Sequence, residues 1–221
     1  MRHDRGQVRT ARTPEGGAVS SDEQLLRRVR DLLVELPDDE RVVPVRRGRH
    51  AAIDPADRAG LVSDFLARLA RDGARGRRVA EEEVAAALDD ALRTLGATAV
   101  MVPDGLPAAL LAPWRNAGHR VVTDSPMSAA EEFDGVDAVV TTCAAAVADS
   151  GALVLDGGPG QMRRAARLDV AWHVCLVRAE QIGPSLPEVV DRLDPRRSIT
   201  MFGGPGQESA GGAGLVVLVV E

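Results

Sequence analysis

The chain has 221 residues, 45% of them hydrophobic and 27% charged, enough to close one sizeable core but cramped for two independent domains. A formal net charge of −6 and an aromatic content of 2% with no Tyr argue against a nucleic-acid partner, which takes a basic field and rings for bases to stack on. No lysine occurs anywhere, which excludes a Walker-type phosphate loop and Schiff-base or pyridoxal chemistry, since each depends on a lysine amine.

Residues 1–20 carry Arg2, Arg5, Arg9 and Arg12 among Gly and Pro without apolar periodicity, the pattern of a disordered arm; no apolar signal core is present. Residues 21–53 read as a helix and a linker. Leu25, Leu26, Val29, Leu32, Leu33 and Leu36 recur at helical spacing between a capping Asp22 and a terminating Pro37, and a basic irregular stretch follows. Residues 54–221 read as one α/β domain. It opens on Asp54-Pro55, a cap with proline at the first turn, and its first helix turns Leu61, Val62, Phe65, Leu66 and Leu69 inward before Gly73 stops it.

Short strands and helices then alternate. Strands are expected at Arg77–Ala80, Thr98–Val102 and His119–Thr123, and helices at Glu81–Leu95 and Pro107–Ala117. Units of this length imply a mostly parallel sheet with helices on both faces. From Asp137 the chain becomes strand-rich: Ala138–Thr141, Ala145–Ala148, Ala152–Leu155 and Ala171–Val177, a helix near Pro187–Leu193, then Ser198–Phe202 and Leu215–Val220. No apolar run approaches the roughly 18–20 residues of a membrane helix. Two unpatterned cysteines, Cys143 and Cys175, cannot by themselves form a four-thiolate cluster or zinc site. A reducing cytoplasm is the default compartment.

Candidate chemistry concentrates in glycine-bearing turns. Asp149-Ser150-Gly151 precedes a strand, and Asp156-Gly157-Gly158-Pro159-Gly160-Gln161 follows it, with Arg163 and Arg164 just beyond. Glycine lets backbone amides approach an anion, and a guanidinium can hold a carboxylate or phosphate. Tight hairpins with exposed arginines are the alternative. A second cluster, Gly203-Gly204-Pro205-Gly206, is either another anion loop or a turn into the last strand. His173 and Cys175 share one face of their strand, opposite Trp172 and Val174; a two-residue pair is no metal site, and core packing with a hydrogen-bonded imidazole is the favoured reading. Asp137 and Asp149 are candidate paired acids. Glu81-Glu82-Glu83 complements a helix dipole and is assigned no chemistry.

The segment from Asp137 to Pro195, with "ADSGALVLDGGPG" and "HVCLVRAEQI", resembles the lactate utilization protein C family, whose members carry the LUD domain. The resemblance begins near "DFLARLARDGA" (Asp64 to Ala74) and runs to about Pro205. It implies a three-layer α/β fold like that of the sugar-isomerase and CoA-transferase superfamily, and participation in oxidation of L-lactate to pyruvate beside partner proteins that carry the iron–sulfur clusters. At the C-terminal end Gly204-Pro205 keep the family pattern, but Gly206 and Ala210 stand where the family has Ser and Asp, and its Glu and His have no counterpart. That removes proton-transfer and hydrogen-bonding groups from this end.

Three functions follow as expectations. The first is an accessory, non-redox subunit or ligand-binding protein of an L-lactate utilization system, without a cofactor of its own. The second is a small-molecule enzyme of the isomerase/acyl-transfer superfamily, and the third a degenerate scaffold paralogue. The ligand would be a small carboxylate or phosphate, held by Asp149, Ser150, Gly151, Gly157, Gly158, Gly160 and Arg163, with Gly204 and Pro205; no catalytic residue is assigned.

Overall fold

A computed structural model of the chain describes residues 55–124, 133–161, 170–203 and 214–221. The N-terminal arm and first helix read from the sequence, together with Arg163, Arg164, Gly204 and Pro205, lie outside the described residues.

Helix α1 (Pro55–Arg71) opens on the expected proline and closes where the Ala74 amide donates back to the Leu69 carbonyl at 2.9 Å. After strand β1 (Arg75–Val79) a 3-10 turn at Glu81–Glu83 leads into α2 (Val84–Thr94), and then comes β2 (Ala99–Pro103). The helix expected over Pro107–Ala117 is divided: a 3-10 turn at Ala108–Leu111 precedes a short α3 (Ala112–Asn116). Pro113 has no N–H to offer the Ala109 carbonyl, so one continuous ladder cannot form. The remaining elements are β3 (Arg120–Asp124), β4 (Ala138–Thr142), β5 (Ala145–Val147), β6 (Leu153–Leu155), β7 (Trp172–Arg178), a 3-10 turn at Ala179–Gln181, β8 (Ile182–Gly183), α4 (Leu186–Val190), β9 (Thr200–Phe202) and β10 (Gly214–Val220).

Six strands form one sheet in the order β1-β10-β7-β4-β2-β3, and every pairing in it is parallel. Its inner strands are near-continuous Val, Leu and Ala runs because both faces are covered. On one face α2 and α3 supply Leu88, Leu92 and Trp114 against Val100, Val140, Val174 and Leu218. On the other, α1 brings Val62, Phe65 and Leu69 to Cys175, Val177, Val217 and Val219, together with Ala146 and Leu153 of a second, smaller sheet. That sheet runs β8-β5-β6-β9, with antiparallel β5–β6 and β6–β9 pairs and a parallel β5–β8 pair. The result is the expected three-layer α/β arrangement with one difference. Strands read from the sequence as a single series divide between two sheets, and helices cover the second face only in part.

Asp137 joins the starts of β4 and β2 at the N-terminal end of the sheet. Its Oδ2 accepts hydrogen bonds from the Thr98 amide at 2.7 Å, the Thr98 hydroxyl at 2.7 Å and the Ala99 amide at 3.0 Å, so this acid is tied to β2 and not paired with Asp149 for chemistry. These bonds hold its pKa below the ordinary aspartate value, the Thr98 hydroxyl foremost. The contribution is present above the ordinary range and lost as pH falls through the lowered pKa. Asp137→Ala is expected to lower unfolding free energy by about 1–2 kcal/mol, measured as a shift in urea midpoint; an unchanged midpoint would show that water replaces the carboxylate in full.

Candidate functional site

Parallel strands leave all their carboxyl ends at one edge, where open α/β sheets place their ligands. Here that edge carries a cleft of about 670 Å³ between the ends of β4, β7 and β10 and the segment following α4. Thr142, Leu176, Arg178 and Val220 come from the strand ends, Glu81 from the 3-10 turn before α2 and Val84 from its start, Asp156, Gly158, Pro159 and Gln161 from the glycine loop, and Arg192, Asp194 and Arg197 from beyond α4.

The glycine loop is fastened to the sheet edge by its backbone. The Thr142 amide donates to the Gly160 carbonyl at 2.8 Å, while the Gly160 amide donates to the Asp104 carbonyl at 3.0 Å, bridging the ends of β4 and β2. Gly160 has φ +72, and a Cβ there would sit 2.8 Å from the Thr142 hydroxyl oxygen. Only glycine satisfies both the conformation and the approach. Within the loop the Gly158 amide donates to the Asp156 carboxylate at 3.0 Å, the Gln161 amide to the Gly158 carbonyl at 3.1 Å, and the Asp156 amide to Gln161 Oε1 at 2.7 Å. The amides at 158, 160 and 161 are therefore spent within the protein. The loop acts as a wall of the cleft more than as an open ring of donors.

Charge in the cleft is mostly matched. Arg178 grips Glu81 through both guanidinium nitrogens, at 2.8 and 2.9 Å, in the bidentate geometry that suits a fork against a carboxylate. Arg197 reaches Asp156 at 3.3 Å, and the Asp194 carboxylate accepts from the Arg196 amide at 3.0 Å. Gln181 ties two strand ends together, donating to the Cys143 carbonyl at 2.8 Å and accepting from the Arg178 amide at 2.8 Å. Arg192 differs: it lines the same space, and its guanidinium, with one nitrogen near Gly183 of β8, has no ion pair or hydrogen bond among the described residues. Cys143 lines the floor, but a hydrogen bond with the Cys175 thiol and burial push its own thiol well above the usual range, so it stays protonated and unreactive.

The residues singled out in the sequence separate into two places. Gly158 lines the cleft, and Gly157 and Gly160 belong to the loop that walls it. Asp149, Ser150 and Gly151 form the turn of the β5–β6 hairpin at the other end of β6, closed by the Gly151 amide donating to the Val147 carbonyl at 2.9 Å. A Cβ on Gly151 (φ +70) would lie 3.1 Å from Arg68 Cγ, so this turn packs on the C-terminal part of α1. Gly203, immediately before Gly204-Pro205, stands against the Gly151 carbonyl. Because β6 runs between the two turns, the fold does not bring them to one site, and the Asp149–Gly151 turn has the character of a tight hairpin. His173 is buried in the core with Nε2 2.7 Å from the Thr141 hydroxyl and its ring edge-on to Phe202, the satisfied imidazole expected of it.

Four cleft residues escaped the sequence reading: Glu81, Arg178, Arg192 and Arg197. Glu81 carries only the signal of a residue that complements a helix dipole, and its partner is 97 positions away, beyond any local pattern. Arg192 and Arg197 sit in a polar stretch after a short helix that resembles any solvated turn. The one usable signal was position, since Arg178 ends a long apolar strand.

Comparison with known proteins agrees with the resemblance read from the residues. Residues 62–205 match the model of the LUD domain, the span over which the resemblance runs. Over 139 residues the chain is 36% identical to Lactate utilization protein C of Deinococcus radiodurans, covering 63% of this chain and 63% of that relative's length. A crystal structure of a DUF162 family protein from the same organism, at 1.70 Å resolution, is 32% identical and matches with a TM-score of 0.64 over 74% of this chain and 98% of that one. The match in sequence covers the α1-to-β9 core and the match in structure covers most of the chain. The chain belongs to the LUD domain family.

Proposed function

We propose that this protein is a ligand-binding, non-redox component of a lactate utilization system, acting in the cytoplasm beside partner proteins that carry iron–sulfur clusters. The name of its 36% identical relative supports the system, and the chain's own cleft supports the role. The observation that carries the reading is the state of the charges there. All three acids lining the cleft are already engaged, Glu81 by Arg178, Asp156 by Arg197 and Asp194 by a backbone amide, whereas Arg192 is free among the described residues. Such a cleft suits an anion, a carboxylate or phosphate, with Arg192 as the cation that receives it.

Calorimetric titration of L-lactate, pyruvate and sugar phosphates tests the proposal. Arg192→Ala is expected to weaken whichever anion binds by about 1.5–3 kcal/mol, the contribution of a charge-assisted hydrogen bond. Equal affinity in wild type and Arg192→Ala, with loss in Arg163→Ala, would move the anion to the segment after the glycine loop. No heat with any anion would favour a scaffold.

A further inference from the structure

The cleft is far larger than a three-carbon acid. Such a molecule fills the space of roughly four waters, about 120 Å³, against about 670 Å³ here, a volume in the range of about 300–1,000 Å³ that encloses cofactor-sized or drug-sized ligands. The two walls also differ in chemistry. One is the edge of the core between the sheet and α2: Val84, Leu176 and Val220 are buried members of the cluster under α2 and α3 whose edges reach the cleft, and the half-buried Leu110 leans on it. The facing wall is the polar segment beyond α4, which carries Arg192, unpaired among the described residues.

We infer that the ligand of this cleft is an amphipathic organic anion, with an apolar body against Val84, Leu110, Leu176 and Val220 and a single carboxylate or phosphate head on Arg192. The inference rests on the reading of the cleft as an anion site and adds the ligand's class to it. A small acid engages only the arginine and covers none of the apolar surface that Leu110 and the edges of the buried residues present. A longer one covers that wall, and each methylene fully moved out of water strengthens binding roughly fourfold. The matched pairs Arg178–Glu81 and Arg197–Asp156 fit the same picture. They neutralise two of the three arginines, leaving Arg192, among the described residues, as the one guanidinium to receive a head, with the Asp194 carboxylate also lining the cleft.

The test is a chain-length series on the full-length protein: propionate, L-lactate, hexanoate and octanoate, with octyl phosphate to distinguish the two heads and octanamide as the uncharged control. Octanoate or octyl phosphate is expected to bind with one-to-one stoichiometry at least about tenfold tighter than propionate. Arg192→Gln should weaken the charged octyl ligand at least about tenfold and leave octanamide unchanged. Equal affinity for propionate and octanoate, both dependent on Arg192, would overturn the apolar body while leaving the anion cleft standing. Octanoate binding indifferent to Arg192→Gln would overturn the assigned head position, and absence of binding by every acid would overturn the cleft as an anion site altogether.

Discussion

Replacing Trp114 by alanine is expected to cost about 3–5 kcal/mol of unfolding free energy, the largest single-residue effect in the domain. Trp114 is fully buried at the centre of the layer formed by α2, α3 and the parallel sheet, among Leu88, Leu92 and Leu111, and its ring stacks on His119 with centroids 3.9 Å apart and planes 18° apart. Truncation leaves a cavity that neighbouring strands, fixed by the sheet, cannot collapse to fill. Its indole Nε1 is buried with no hydrogen-bond partner among the described residues, so phenylalanine keeps much of the packing while removing an unpaired donor. Trp114→Phe should therefore lose less than half of what Trp114→Ala loses. Urea unfolding of the two variants measures this, and equal losses would show that the indole donor is in fact satisfied.

Stability should also fall steeply on mild acidification because of His173. Burial holds its pKa down at about 4, against 6.5 for an unhindered imidazole. Between these values the unfolded chain binds a proton that the folded protein refuses, so stability rises with pH through the window and is complete above 6.5. Over the whole interval the loss on acidification amounts to about 3 kcal/mol, with about 2 kcal/mol gone by about pH 5, before most carboxylates titrate. His173→Gln retains a group able to bond the Thr141 hydroxyl but nothing that titrates. Its unfolding midpoint should be nearly flat from about pH 7 to about pH 5, while that of the wild type declines. Parallel declines in the two proteins would assign the acid sensitivity to other groups.

Sequence patterns carried the elements and the layer architecture well, because each rested on a local signal. Asp54-Pro55 and Gly73 bound α1, apolar runs such as Leu215–Val220 require burial on both faces, and alternation of these with amphipathic helices dictates parallel pairing. Partition into two sheets had no such signal. Ala145–Val147 and Leu153–Leu155 are buried at every position, so their side chains do not reveal which sheet holds them, and the two-residue β8 is indistinguishable in sequence from the tail of β7. The candidate site was legible in half. Gly158 and the loop around it do border the cleft, since glycine marks close backbone approach wherever it serves. Arg178, Arg192 and Arg197 come to one cleft only through the fold, from positions that look ordinary one by one, and the Asp149–Gly151 turn has a composition that hairpins share with anion loops.

The place of β10 in the sheet has a consequence for how the molecule is assembled. β1 pairs with no other strand of its sheet than β10, in register from Arg75–Val216 to Val79–Val220, and the ion pair Arg78–Glu221 joins positions 143 apart. β10 in turn lies between β1 and β7, so the strand that follows all the other described strands is inserted between two that precede it. No vectorial, strand-by-strand order of addition can produce this arrangement. Until β10 arrives, β1 is an arginine-bearing segment with no ladder, and β7 presents one bare edge to whatever is nearby. Closure of so long a loop is slow, and an unpaired hydrophobic edge is where association with other chains begins. The interval before that insertion thus adds a bare edge on β7 that the finished fold covers.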